Sequence, residues 1–213
     1  MLSISYISSV YDRKKTIELL DKIKEVDFIH LDLMDGKYVE EKNFEIDEIL
    51  DDFKDIKKPL DVHLMVKNPE DYIEKLSKLK PKCISFHPEA TSSPRKVIDQ
   101  IKSYGINAGI AINTNIDVRS YESLYDKIDT LLLMTVTAGY GGQKFLKTSY
   151  GRLKDIESFK DNYHFKLEID GGVNKDIYKD VKSYPIDIFV VGSYVCGNEN
   201  FQRPIRELLK EDD

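Results

Sequence analysis

Short apolar runs recur along the chain at fairly regular intervals, and charged stretches with helical spacing separate them. The runs predict strands at Leu2–Ile7, Phe28–Met34, Leu60–Val66, Cys83–His87, Ile106–Ile112, Thr130–Val136, Phe165–Asp170 and Ile186–Val191. Between them, helices are predicted from about Lys14, over Phe44–Phe53, and after Asn68-Pro69-Glu70, where Asn is expected to cap and Pro to occupy the first turn. Further helices are predicted from Ser93-Pro94, around Val118–Leu124, over Tyr150–Phe159, over Lys175–Val181 and over Pro204–Leu209. In the first of these helices Ile17, Leu20 and Ile23 or Leu19 form the apolar side.

Strict alternation of strand and helix predicts a parallel sheet. Eight such units in 213 residues favour a closed (β/α)8 barrel, with an open doubly wound sheet as the alternative. No linker, low-complexity segment or composition break divides the chain, so residues 1–213 are expected to form one barrel domain.

Composition narrows the function. Hydrophobic residues make up 41% and charged residues 33%, as in a soluble globular protein, and the net charge of −6 argues against nucleic acid or an anionic membrane as the main partner. Residues 1–10 lack the basic start and apolar run of a signal peptide, and no segment reaches the ~20 apolar residues that span a bilayer. Cys83 and Cys196 lie in apolar surroundings without metal-type spacing. Two buried free thiols, rather than a disulfide, are the reading that suits a reducing cytosol. A cytosolic protein is expected.

The polar residues inside the apolar runs change the picture most. Side chains alternate along a strand, so His30, Asp32 and Met34 share one face, as do Asp61, His63 and Met65. Burying such groups without partners costs several kcal/mol, roughly 2–7 for a neutral polar group, so partners are expected nearby. In a (β/α)8 barrel the chemistry sits at the C-terminal strand ends, where Met134 and Asp170 would also lie. Two His and two Asp converging on one mouth suit a divalent metal. Each has a plainer reading as a hydrogen-bonded core His, a helix-capping Asp or a core-filling Met. The glycines are a separate signal. Gly139-Tyr140-Gly141-Gly142, Gly171-Gly172 and Gly192-Ser193 follow consecutive strands, and backbone amides exposed by glycines there would grip a phosphate.

Taken together these residues resemble the ribulose-phosphate 3-epimerase family. The shared pattern is S-Y-I-S at 5–8, H-L-D-L-M-D-G at 30–36, L-D-V-H-L-M-V at 60–66, H-P-E-A at 87–90, M-T-V-T-A-G-Y-G-G-Q-K-F at 134–145, E-I-D-G-G-V at 168–173 and V-V-G-S at 190–193. The resemblance implies a barrel that interconverts D-ribulose 5-phosphate and D-xylulose 5-phosphate, in the pentose phosphate pathway, through a 2,3-enediolate. It implies one divalent metal per subunit, with Zn²⁺ first and Fe²⁺, Mn²⁺ or Co²⁺ as alternatives, ligated by His30, Asp32, His63 and Asp170. Asp32 and Asp170 would double as the acid/base pair. Ser8, His63, Asp170 and the loop Gly139, Tyr140, Gly141, Gly142 would contact substrate, and Gly171, Gly172, Gly192 and Ser193 the phosphate. Met34, Met65 and Met134 would line the site, and the protein would be a homo-oligomer, dimer or hexamer.

The chemistry explains the residue types. Inverting C3 beside a ketone means removing a proton from one face and returning one to the other, which calls for two opposed groups, here Asp32 and Asp170. A cation at the adjacent oxygens would stabilise the enediolate. The chain departs from the family pattern at Ala138, Glu40-Glu41, Val10 and Thr114. A hexulose 6-phosphate such as D-allulose 6-phosphate is therefore the alternative substrate, and a non-catalytic phosphosugar-binding barrel the alternative of a different class.

Overall fold

The computed structural model describes residues 1–43 and 45–210. Phe44, taken above as the start of a helix, and residues 211–213 of the expected domain lie outside the described residues.

Eight parallel strands close on themselves in sequence order: β1 Leu2–Ser5, β2 Phe28–Met34, β3 Leu60–Met65, β4 Cys83–Phe86, β5 Asn107–Ile112, β6 Thr130–Met134, β7 Lys166–Asp170 and β8 Ile188–Val191. The ring shuts where β1 pairs β8, Leu2 beside Phe189 and Ile4 beside Val191. An open doubly wound sheet is thereby excluded.

Helices α1 Arg13–Asp21, α2 Ile46–Phe53, α3 Glu70–Ser77, α4 Pro94–Ser103, α5 Thr148–Glu157, α6 Lys175–Val181, α7 Ser193–Cys196 and α8 Gln202–Leu209 follow in chain order. One parity of each strand, such as Ile29, Leu31 and Leu33 on β2 or Val62 and Leu64 on β3, faces outward and merges with helix residues such as Ile17, Leu20, Ile49 and Ile73 into a single apolar cluster. Burying such a side chain contributes about 1.5–3 kcal/mol. This outer shell, between strands and helices, is where hydrophobic stabilisation is concentrated.

The other parity faces the barrel axis, and there the molecule is divided. Ala111, Leu132, Met134 and Val136, on the β5–β6 side, form a small apolar cluster of their own. On the other strands and the turn after β4, Ser3, Ser5, His30, Asp32, Asp61, His63, Ser85, His87 and Glu168 are all buried. A barrel interior is ordinarily filled with branched apolar side chains. A wedge of buried polar groups is costly unless each finds a partner.

Three local expectations are corrected. Asn68 does not cap α3 with its side chain: the cap position is Pro69, without a side-chain bond. Asn68 takes a left-handed backbone at φ 54°, and its carbonyl accepts the Asp71 amide at 3.1 Å instead. In place of a helix over Val118–Leu124 there is a 3-10 turn at Glu122–Lys127. Asp117 holds the Arg119 amide at 2.7 Å with its carboxylate, spending those residues on an Asx turn. The third is a helix unforeseen in the sequence, α7, which follows β8 directly. Cys83 and Cys196 are buried free thiols. No helix among the described residues is long and apolar enough to cross a membrane.

Candidate active site

The site is assembled at the C-terminal ends of the strands. On β2 the register puts Asp32 beside His63 of β3 and Met34 beside Met65. Across the closure, Met134 of β6 stands beside Asp170 of β7. Asn43 fixes the end of β2 from the following loop. Its amide donates to the Asp32 carbonyl at 2.7 Å and its side-chain oxygen accepts from the Met34 amide at 3.0 Å. Thr135 ties β6 to β7 by donating its amide and hydroxyl to the Asp170 carbonyl, both at 2.8 Å.

Four potential ligand atoms from these ends meet. His30 Nε2 lies 3.4 Å from Asp32 Oδ1 and 3.9 Å from Asp170 Oδ2. His63 Nδ1 lies 3.2 Å from Asp32 Oδ1 and 3.6 Å from Asp170 Oδ2. All four lie within 4.8 Å of one another. Ligands held tetrahedrally at about 2.0–2.2 Å from one cation stand about 3.3–3.6 Å apart, close to these separations. His30 Nε2 is moreover buried with no hydrogen-bond partner. An orphaned imidazole nitrogen facing two carboxylates is what a cation would satisfy, so the residues fit a divalent metal.

The electrostatics agree. Burial opposes charge on His30, but Asp32 and Asp61 beside it outweigh that and push it well above the usual histidine range. His63 is also raised, burial being overcome by Asp170 and Asp32. Burial likewise opposes charge on Asp32, yet the two histidines hold it far below the usual carboxylate range. Its other oxygen accepts the Ser5 hydroxyl at 2.7 Å.

Beneath the cluster a second group supports the first. Asp61 Oδ2 accepts from Ser3 Oγ and meets His30 Nδ1, each at 2.8 Å. With Nδ1 bonded to a carboxylate, His30 presents Nε2 upward, the arrangement that fixes a ligating histidine's tautomer. Glu168 sits 3.7 Å from His30 Nδ1. Burial and the neighbouring Asp61 push its carboxyl well above the usual range. His30, Asp61 and Glu168 have the spacing of a ligand group, but the bonds to Ser3 and His30 already engage Asp61.

Above the cluster opens a cleft. Asp32 and Asp170 reach its surface, as do Ser8, Met65, Met134, the loop Gly139–Gly142, Gly171, Gly172, Gly192 and Ser193. His30 and His63 lie below the floor, and Met34 is not part of the described lining. Met34 instead borders a separate surface hollow with Asp35, Lys37 and Lys42. Among the described lining residues there is no Lys or Arg. Any phosphate here would therefore be held by backbone amides, Ser8, Ser193 and other neutral groups.

Sequence reasoning had passed over His87, Ser5 and Glu168 as site residues. Each lies inward on its strand parity, two positions from a residue already noted or from Ser85, so the period-2 pattern carried the signal. His87 is the most consequential, because its Nε2 stands 2.9 Å from His63 Nε2. Burial, with His63 beside it, pushes His87 down to about 4, so it is neutral near pH 7. The departures at Glu40, Glu41, Thr114 and Ala138 gather along one neighbouring cleft that shares Thr137–Tyr140 with the first.

A closed (β/α)8 barrel with paired carboxylates and histidines under a glycine-lined cleft has the architecture of a small-molecule enzyme. Comparison with known proteins makes the assignment narrower. The sequence model of the ribulose-phosphate 3-epimerase family matches residues 2–196. Ribulose-phosphate 3-epimerase of Buchnera aphidicola subsp. Baizongia pistaciae is 36% identical over 221 residues, covering 99% of this chain and 96% of that protein. That of Bacillus subtilis is 35% identical over 187 residues, 85% of each. Among solved structures, KGPDC from Streptococcus mutans superposes with a TM-score of 0.69 at 12% identity, covering 97% of this chain and 94% of that one, which speaks to the fold alone. The chain belongs to the ribulose-phosphate 3-epimerase family and is an isomerase of the epimerase type.

Proposed function

We propose that the protein interconverts D-ribulose 5-phosphate and D-xylulose 5-phosphate with Asp32 and Asp170 as the acid/base pair. The observation that carries this reading is that, of the four clustered ligand atoms, the two carboxylates reach the cleft while both histidines stay beneath it. Those carboxylates stand on β2 and β7, so a sugar lying across the mouth has one on each side of C3. One carboxylate takes the C3 proton from one face, and the other returns a proton to the opposite face. The roles exchange when the reaction runs backwards. Asp32 is ionised, the form a base must have, and Ser5 keeps it aimed.

His30, Asp32, His63 and Asp170 would hold one divalent cation, zinc being our first assignment from the two nitrogen and two oxygen donors. When bound, it supplies Lewis-acid stabilisation of negative charge at the sugar's C2 and C3 oxygens. Placed proton-transfer groups contribute about 10²–10⁴-fold. Gly171, Gly172, Gly192 and Ser193 would bind the phosphate, with Ser8 and the loop Gly139–Gly142 closing on the sugar. Met65 and Met134 offer apolar, polarisable walls that exclude water without hydrogen-bonding the enediolate. We assign the protein to the cytoplasm, acting as one catalytic domain in a homo-oligomer.

The test is a coupled assay on metal-reconstituted protein with D-ribulose 5-phosphate and D-allulose 6-phosphate side by side. Faster turnover of the pentulose is expected. Preference for the hexulose would reassign the substrate, and activity on neither with metal bound would leave a phosphosugar-binding barrel.

A further inference from the structure

His63 and His87 share a constraint that bears on the cluster above them. Their Nε2 atoms are 2.9 Å apart and both side chains are fully buried. A single proton lies between two such nitrogens, so one ring donates and the other accepts. If a neutral His63 donates, its Nδ1 is left as a lone pair facing Asp32 and Asp170 at 3.2 and 3.6 Å. If His87 donates, a neutral His63 must carry its proton on Nδ1, which then bonds to Asp32 and cannot ligate. The tautomer of His87 therefore decides whether His63 is a ligand.

What stands at the other end of His87 selects between the two. His87 Nδ1 is buried with no hydrogen-bond partner, and Glu89 Oε1 lies 3.7 Å from it. A carboxylate at that place favours an N–H over a lone pair. Glu89 is itself fixed by three side chains from two other loops. Tyr38 donates its hydroxyl to Oε1 at 2.8 Å, Asn113 its amide to the same oxygen at 3.0 Å, and Tyr121 its hydroxyl to Oε2 at 3.5 Å. The Tyr38 ring also covers His87, with centroids 4.8 Å apart and planes 32° apart. Glu89 thus faces a ring that packs against Tyr38 and meets His63 at its far nitrogen.

We propose that His87, oriented by Glu89, is a positioning residue of the metal centre: it accepts the Nε2 proton of His63 and thereby presents His63 Nδ1 as a ligand atom. The relay Glu89–His87–His63 is longer by one imidazole than the Asp61–His30 pair on the other side of the cluster. It explains why His87, the third buried histidine after His30 and His63, sits at a strand end that lends nothing to the cleft surface. The proposal rests on the ligand set assigned above.

Metal-free protein titrated with Co²⁺, followed by visible absorption and by chelator competition, tests both levels. His63→Ala is expected to lose tight binding. His87→Ala should weaken Co²⁺ about 10–100-fold, the range for losing an outer partner of a ligating histidine, and alter the ligand-field bands. His87→Gln, whose amide oxygen reaches the position of Nε2, should restore most of the affinity, and Glu89→Gln should fall between it and wild type. Wild-type affinity in His87→Ala, while His63→Ala is impaired, would overturn this inference alone. Failure of the wild-type protein to bind Co²⁺ would overturn the ligand set and the inference with it. Should His87→Ala not fold, long-range ¹H–¹⁵N spectra of Zn²⁺-loaded wild type decide. Protons on His63 Nε2 and His87 Nδ1 are expected, and a proton on His87 Nε2 would refute the relay.

Discussion

Two glycines with nearly the same positive φ separate the cost of a left-handed residue from the cost of crowding. Gly142 has φ 75° and Gly172 has φ 69°. A Cβ at Gly142 meets nothing within 4 Å, whereas one at Gly172 overlaps the Phe145 amide nitrogen and comes within 2.8 Å of the Lys144 carbonyl carbon. Alanine in the left-handed region costs about 1–2 kcal/mol at either position. At Gly172 the obstacle is backbone, which cannot rotate aside, and overpacking adds about 1–3 kcal/mol. Gly142→Ala is thus expected to lose about 1–2 kcal/mol and Gly172→Ala about 2–5. For a chain of this size each kcal/mol moves Tm by about 2–4 °C, so the two variants should differ by about 2–12 °C. Urea unfolding at unchanged m-value measures the same gap as a shift in midpoint. Because the crowded atoms belong to the segment between the Gly139–Gly142 loop and α5, Gly172→Ala should also raise KM for the phosphorylated substrate. Equal destabilisation in the two variants would show that the turns after β6 and β7 are not in the contact described, and the reasoning would fail.

Asp170→Asn keeps the shape of the side chain and removes its proton-carrying capacity. Turnover should fall about 10²–10⁴-fold in both directions, and near-normal rates would rule out the two-carboxylate mechanism. Metal loading should release protons. His30 and His63 are both raised in the metal-free protein and must be neutral to ligate, so apparent affinity should climb as pH rises above the ordinary histidine value of about 6.5. A flat profile in weakly buffered indicator titrations would contradict this. For the same reason, stability from these two imidazolium groups is fully present below the unfolded value of about 6.5 and is lost as pH rises through their folded values. Thermal scans of metal-free protein should therefore show Tm falling across that interval, and added Zn²⁺ should offset the loss. Met34→Leu should leave kcat unchanged, because Met34 does not line the cleft, and cost less than about 1.5 kcal/mol. A clear drop in kcat would return Met34 to the site.

Much of the barrel was legible because its signals are local. Apolar runs bounded by polar helical stretches report strands and helices directly, and Phe28–Met34 and Lys175–Val181 stand where the pattern placed them. Boundaries slipped where side chains or backbone outside the run took over the hydrogen bonds. Asp117 did so before Glu122–Lys127, and Thr135 turned back to Asp170 at the end of β6. Of the site, His30, Asp32, His63 and Asp170 could be singled out because ionisable residues inside apolar strands are expensive and conspicuous.

The sequence by itself determined the order of the elements, the parity of each inward side chain and the family to which the chain belongs. Parity repeats every two residues and says which face a side chain is on, but nothing of its height along the barrel axis. Height follows from the register of neighbouring strands and from closure of the ring, which bring together residues distant in the chain. Only the tertiary structure could therefore put Asp61 and Glu168 beneath His30, His87 behind His63, and Met34 outside the cleft that Met65 and Met134 line.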